Sequence, residues 1–131
     1  MSTTKRVLLY VMAGAYAFAG FNHLMNPQMY LNIMPPGLPE PGWLNVISGL
    51  AEIVLAVYVL EPKTRVYAAW GIIALLIAVF PANLHVAIND IDMATGQPGA
   101  GSSAAAWIRL PFQALFVAWA WWYTRPEDEA R

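Results

Sequence analysis

VYAAWGIIALLIAVFPANLHVAI, residues 66–88, runs for 23 positions without a formal charge. As an α-helix rising about 1.5 Å per residue, it exceeds the roughly 30 Å of hydrocarbon in a bilayer. Apolar side chains surround such a helix, so it lacks the polar face that a soluble bundle would turn to water. Three further stretches read the same way: Val7–Met25, Trp43–Leu60 and Ala104–Tyr123, of 19, 18 and 20 residues. Together the four hold 80 of the 131 residues and only two formal charges, Glu52 and Arg109. The fold class this predicts is all-α, an integral membrane four-helix bundle forming one domain over residues 1–131.

Composition agrees. Hydrophobic residues make up 59% and charged ones 11%, against about 45–50% and about 25% in soluble domains. The partner this predicts is the lipid bilayer. A net charge of −1 offers no basic surface for nucleic acid. With no cysteine, disulfides, thiolate zinc sites, iron–sulfur clusters and dithiol relays are excluded. No glycine-rich phosphate loop, nucleophile elbow or metalloprotease helix is present, which argues against nucleotide cofactors.

Punctuation between the spans sets the topology. Asn26-Pro27, Glu61-Pro62 and Arg125-Pro126 place prolines where the first, second and fourth helices stop. The first connection holds five prolines and an apolar run, Met29, Tyr30, Ile33 and Met34, at helical spacing; it reads as a short amphipathic helix in the interface. The Gly-, Ser- and Pro-rich connection Asn89–Ser103 reads as a mobile loop. Lys5, Arg6, Lys63, Arg65, Arg125 and Arg131, six of the seven basic residues, fall on one side. The positive-inside rule makes that side cytoplasmic, with both termini on it. Tyr10, Tyr67, Trp70 and Trp121–Tyr123 form an inner aromatic belt, and Trp43 marks the outer one. Lys5-Arg6 before an apolar run also resembles a signal peptide, but the run is longer than a signal core, so the first helix is expected to be retained.

Polar residues inside the spans locate a candidate site. Counting along the helices puts His23 and His85 roughly 3 to 5 Å below the outer boundary, Asn83 and Arg109 about 7.5 Å, and Glu52 and Gln113 about 13 to 14 Å. All six lie in the outer half. Ionisable side chains in hydrocarbon are expensive, so they point to function. Asn45, Ser48 and Glu52 form an i, i+3, i+7 stripe, Arg109 and Gln113 lie one turn apart, and the small residues Ala13, Ala17 and Gly20 lead toward His23. Pro81 and Pro111 deprive the carbonyls of Ile77 and Trp107 of their helical donors, which predicts kinked third and fourth helices around an outward-facing pocket. Two readings stand beside this one: Glu52 and Arg109 as an ion pair fixing helix register, and the histidines as hydrated interfacial residues.

Four motifs also carry a resemblance: Gly20-Phe21-Asn22-His23 with Pro27, Ser48-Gly49 to Glu52, Pro81-Ala82-Asn83-Leu84-His85, and Arg109-Leu110-Pro111-Phe112-Gln113. Over nearly its whole length the chain resembles DoxX-like membrane proteins. The resemblance implies a four-helix, redox-associated protein of the bacterial inner membrane, related by name to a subunit of a thiosulfate:quinone oxidoreductase. It implies a quinone or other small apolar substrate and a membrane or periplasmic redox partner. In that reading Glu52, Arg109, His85 and His23 are catalytic: a histidine donates to a quinone carbonyl, Arg109 steadies negative charge and Glu52 relays a proton. Asn83, Gln113, Asn22 and Ser48 contact the substrate. Alternatives are a non-catalytic subunit or assembly partner, and a metal or haem site using His23, His85 and Glu52. No ligand pair falls at i, i+3 or i, i+4, and Glu52 counts about 10 Å deeper than the histidines, so no metal is assigned. Coupled transport is disfavoured because Ile72–Val79 and Leu115–Ala120 offer no polar group in the inner half.

Overall fold

The structure, a computed structural model, describes residues 1–92, 95–97 and 103–125. Residues 93–94 and 98–102 of the connection read as mobile, as well as Pro126 and Arg131, lie outside the described residues. The fold is all-helical, with no strand among the described residues. Helix α1 (Thr3–Met25) begins ahead of its apolar run because Ser2 caps it, the serine side chain accepting from the Lys5 N–H at 3.1 Å. It stops at Asn26, and Pro27 opens the short α2 (Pro27–Asn32). The apolar run read as a short helix in the first connection is helical at Met29 and Tyr30, while Ile33 and Met34 lie beyond the helix end. Pro41 likewise opens α3 (Pro41–Leu60). Helix α4 (Arg65–Asn89) runs unbroken through Pro81 and ends where Asp90 turns left-handed, at φ 52°. Helix α5 (Ser103–Trp122) runs unbroken through Pro111.

Helices α1, α3 and α4 are each long and apolar enough to cross a membrane. Their outward faces match that reading, since Phe18, Phe21, Ile77 and Ile88 are each at least 60% exposed. Carbon surface turned outward on this scale marks contact with lipid or another apolar partner.

The chain packs in sequence order. α1 lies along α3, α3 along α4 and α4 along α5, with α2 laid over the ends of α1 and α3. The main core sits at the end holding the α1 N-terminus, where Met12, Val59, Ala69, Ile72, Ala120 and Tyr123 are fully buried. Alanines at this contact let the backbones approach closely. α1 and α5 make no close backbone approach among the described residues. They are joined at the core end by the Tyr123 hydroxyl, which donates to the Lys5 carbonyl at 2.8 Å. Lys5 itself is 7% exposed, its ammonium tucked against aromatic faces 5.3 Å above the Trp122 ring.

At the other end the contact between α1 and α3 is built on two glycines. A Cβ on Gly20 would lie 2.5 Å from the Gly49 carbonyl oxygen, and one on Gly49 would lie 2.9 Å from that of Gly20. No side chain fits there, and this approach sets what the next turns of both helices can touch.

Candidate functional site

One turn beyond the glycine crossing, His23 of α1 meets the polar stripe of α3. Asn45, 1% exposed, grips it twice: the Asn45 Nδ2 donates to the His23 carbonyl at 2.8 Å, and its Oδ1 lies 2.8 Å from His23 Nδ1. The far ring nitrogen, Nε2, lies 3.6 Å from Glu52 Oε2. Tyr30, from α2, stacks on the imidazole with centroids 3.7 Å apart and planes 18° from parallel. Its hydroxyl accepts from Asn22 Nδ2 at 2.6 Å, and Asn22 Oδ1 accepts from Asn26 Nδ2 at 2.6 Å. Glu52 Oε2 is buried without a hydrogen-bond partner among the described residues.

His23, Tyr30 and Glu52 wall a chamber of about 150 Å³, whose lining also includes Ser48, Ile33, Met34 and Asn83. Asn83 also lines a larger cleft of about 300 Å³ between α1 and α5, bounded by Ala19, Tyr16, Arg109, Gln113, Phe116 and Trp119 among others. The partition is held by amides: Asn83 Nδ2 donates to Gln113 Oε1 at 2.5 Å, and Gln113 Nε2 donates to the Leu76 carbonyl. That carbonyl neighbours the one that Pro81 leaves without its helical donor.

The predicted residues are thus partly gathered. His23, Glu52, Ser48 and Asn83 face the chamber, Asn83, Gln113 and Arg109 face the cleft, and Asn22 stands behind Tyr30. Three expectations are corrected. Glu52 faces His23 rather than Arg109, because α3 lies against α1 and makes no close approach to α5 among the described residues. The 10 Å difference in depth vanishes, because side chains lean toward the N-terminus of their own helix; on antiparallel helices His23 and Glu52 lean toward each other. His85 is not at the site: Asn89, one turn on along α4, places its Nδ2 3.0 Å from the His85 Nδ1. Its ring lines neither space. No group of three His, Asp or Glu side chains is assembled among the described residues, so the iron triad has no ligand set there.

Two site residues escaped the sequence reading as such. Asn45 belonged to a recognised stripe but was given no role, and Tyr30 was assigned to the interface. A third, Tyr16, shares the α1 face of Gly20 and His23 at i, i+4, i+7, a spacing that marks it as a neighbour.

Three helices long and apolar enough to span a bilayer, with an apolar exterior, mark a membrane protein that holds a chamber and a cleft among its helices. The chain belongs to the family described as a domain of unknown function (DUF8561), whose profile matches residues 12–124. No curated protein and no solved structure matches it.

Proposed function

We propose that the protein is a redox-associated protein of a bacterial inner membrane that binds a ring compound of the quinone class within the bundle. In this reading four helices span the bilayer, α5 being the fourth, with kinks at Pro81 and Pro111 and both termini cytoplasmic. The likeness to DoxX-like proteins belongs to the same reading, as does a membrane or periplasmic redox partner. The observation that carries it is the buried Glu52 Oε2, unpartnered among the described residues and facing His23 Nε2 across a chamber that shares the Asn83 wall with an apolar cleft.

A carboxyl group in hydrocarbon is costly and is retained where it acts on something. The chamber matches the roughly 150 Å³ cavity that accepts a benzene-sized ring. The larger, mostly apolar cleft suits an apolar tail. Glu52 and His23 exchange protons with the ring oxygen, Asn83 sits between head and tail, and Arg109 supplies positive charge at the cleft.

Protein purified into lipid nanodiscs tests this. Quenching of tryptophan fluorescence, with Trp119 in the cleft wall, should report saturable binding of a short-tailed quinone or its hydroquinone. Glu52→Gln and Asn83→Leu should weaken that binding tenfold or more while helical circular dichroism is unchanged. Equal binding in both variants overturns the reading and favours a non-catalytic assembly subunit.

A further inference from the structure

We infer that Asn45 is a positioning residue that locks His23 as its Nδ1–H tautomer, so that the chamber receives the hydroxyl-bearing form of its ring ligand in preference to the carbonyl form. The choice of ligand form rests on the quinone-class reading above; the tautomer does not.

The hydrogen-bond inventory fixes the tautomer. A backbone carbonyl only accepts, so the Asn45 atom 2.8 Å from the His23 carbonyl is the amide nitrogen, and the atom 2.8 Å from His23 Nδ1 is the amide oxygen. An amide oxygen also only accepts, so Nδ1 carries the hydrogen. A neutral imidazole has a single N–H, which leaves Nε2 as a lone pair. Tyr30 stacked on the ring holds it in this orientation, and the burial of Asn45 excludes competing water.

That lone pair points toward Glu52 across 3.6 Å, beyond hydrogen-bonding distance. A hydroxyl seated in the chamber beside this pair, within reach of both atoms, satisfies both sides: its hydrogen goes to Nε2 and its oxygen accepts from the Glu52 carboxylic acid. A carbonyl oxygen can only accept, and leaves Nε2 a buried acceptor without a donor. Such an orphan is worth about a tenfold difference in affinity. The sequence reading of a histidine donating to a quinone carbonyl is therefore replaced by a histidine that accepts from a hydroxyl.

The chain has two histidines, so His85→Gln leaves His23 as the sole reporter. Nitrogen-15 NMR of histidine-labelled protein in nanodiscs should show Nδ1 protonated and Nε2 bare. In Asn45→Leu the signals should move to a mixture of tautomers. Under anaerobic titration a short-tailed hydroquinone should bind about tenfold tighter than its quinone, and Asn45→Leu should bring the two close to parity. Glu52→Gln, which leaves the Asn45 grip in place and still offers a donor to the ligand oxygen, should keep the tautomer and keep the preference while weakening both forms, so the inference remains testable if Asn45→Leu fails to fold. A proton on Nε2 in the parent protein, alone or with Nδ1, overturns the inference, as does equal affinity for the two forms. Failure of either form to bind overturns the quinone-class reading and the ligand choice with it, while the nitrogen spectrum independently decides the role of Asn45.

Discussion

Gln113 engages both ends of its amide, one with Asn83 and one with the Leu76 carbonyl, and so ties α5 to α4 at the wall dividing the two spaces. In water such a bond would contribute about 1 kcal/mol, and measured couplings between buried polar side chains in membrane helices average about 0.6 and reach about 1.7 kcal/mol. A double-mutant cycle of Asn83→Ala and Gln113→Ala, followed by reversible unfolding in detergent, should give a coupling in that range; a value near zero would mean the amides pack without bonding. The reach of sequence reasoning at this scale followed periodicity. Glu52 and Ser48 were legible because a helix repeats every 3.6 residues and a polar stripe stands out against apolar neighbours. Tyr30 was not, because the spacing that marked a short amphipathic helix carries no sign that this helix folds back over His23.

Among the elements, the glycines separate contact from conformational freedom. At Gly20 and Gly49 a methyl group would meet a backbone oxygen of the opposite helix, and backbone cannot move aside cheaply. Gly20→Ala should therefore cost about 1–3 kcal/mol and separate His23 from Asn45. At Gly71 the obstacle is Leu55 Cδ2, 2.6 Å away, the end of a flexible side chain, so Gly71→Ala should cost less than Gly20→Ala. Nothing lies within 4 Å at Gly14, where alanine should be neutral or stabilise by about 0.4–1 kcal/mol through the unfolded chain. Unfolding midpoints of the three variants check the order, and an equal loss in all three would remove close packing as the cause. The long helices themselves were readable from length and hydrophobicity. Their ends were less so, since Ser2 and Pro41 extend α1 and α3 beyond the apolar residues through caps that hydropathy does not register.

For the whole molecule, orientation and closure are the testable properties. The cysteine-free chain accepts single cysteines without background. A membrane-impermeant maleimide should reach Glu61→Cys from the cytoplasmic side and Leu38→Cys from the opposite side; both labelling from one side would refute the four-span topology. Tyr123→Phe removes the hydroxyl that ties α5 to Lys5 and should lower stability by about 1 kcal/mol, read from the same unfolding assay. That tie fastens the first and last helices at the core end; farther along, α1 and α5 make no close backbone approach among the described residues, and the cleft lies between Ala19 and Phe116. On the quinone-class proposal a guest would arrive sideways, already dissolved in lipid, and its occupancy would follow its mole fraction in the bilayer. Diluting a loaded sample with extra vesicles should strip the guest, whereas adding buffer alone should leave a poorly water-soluble one in place.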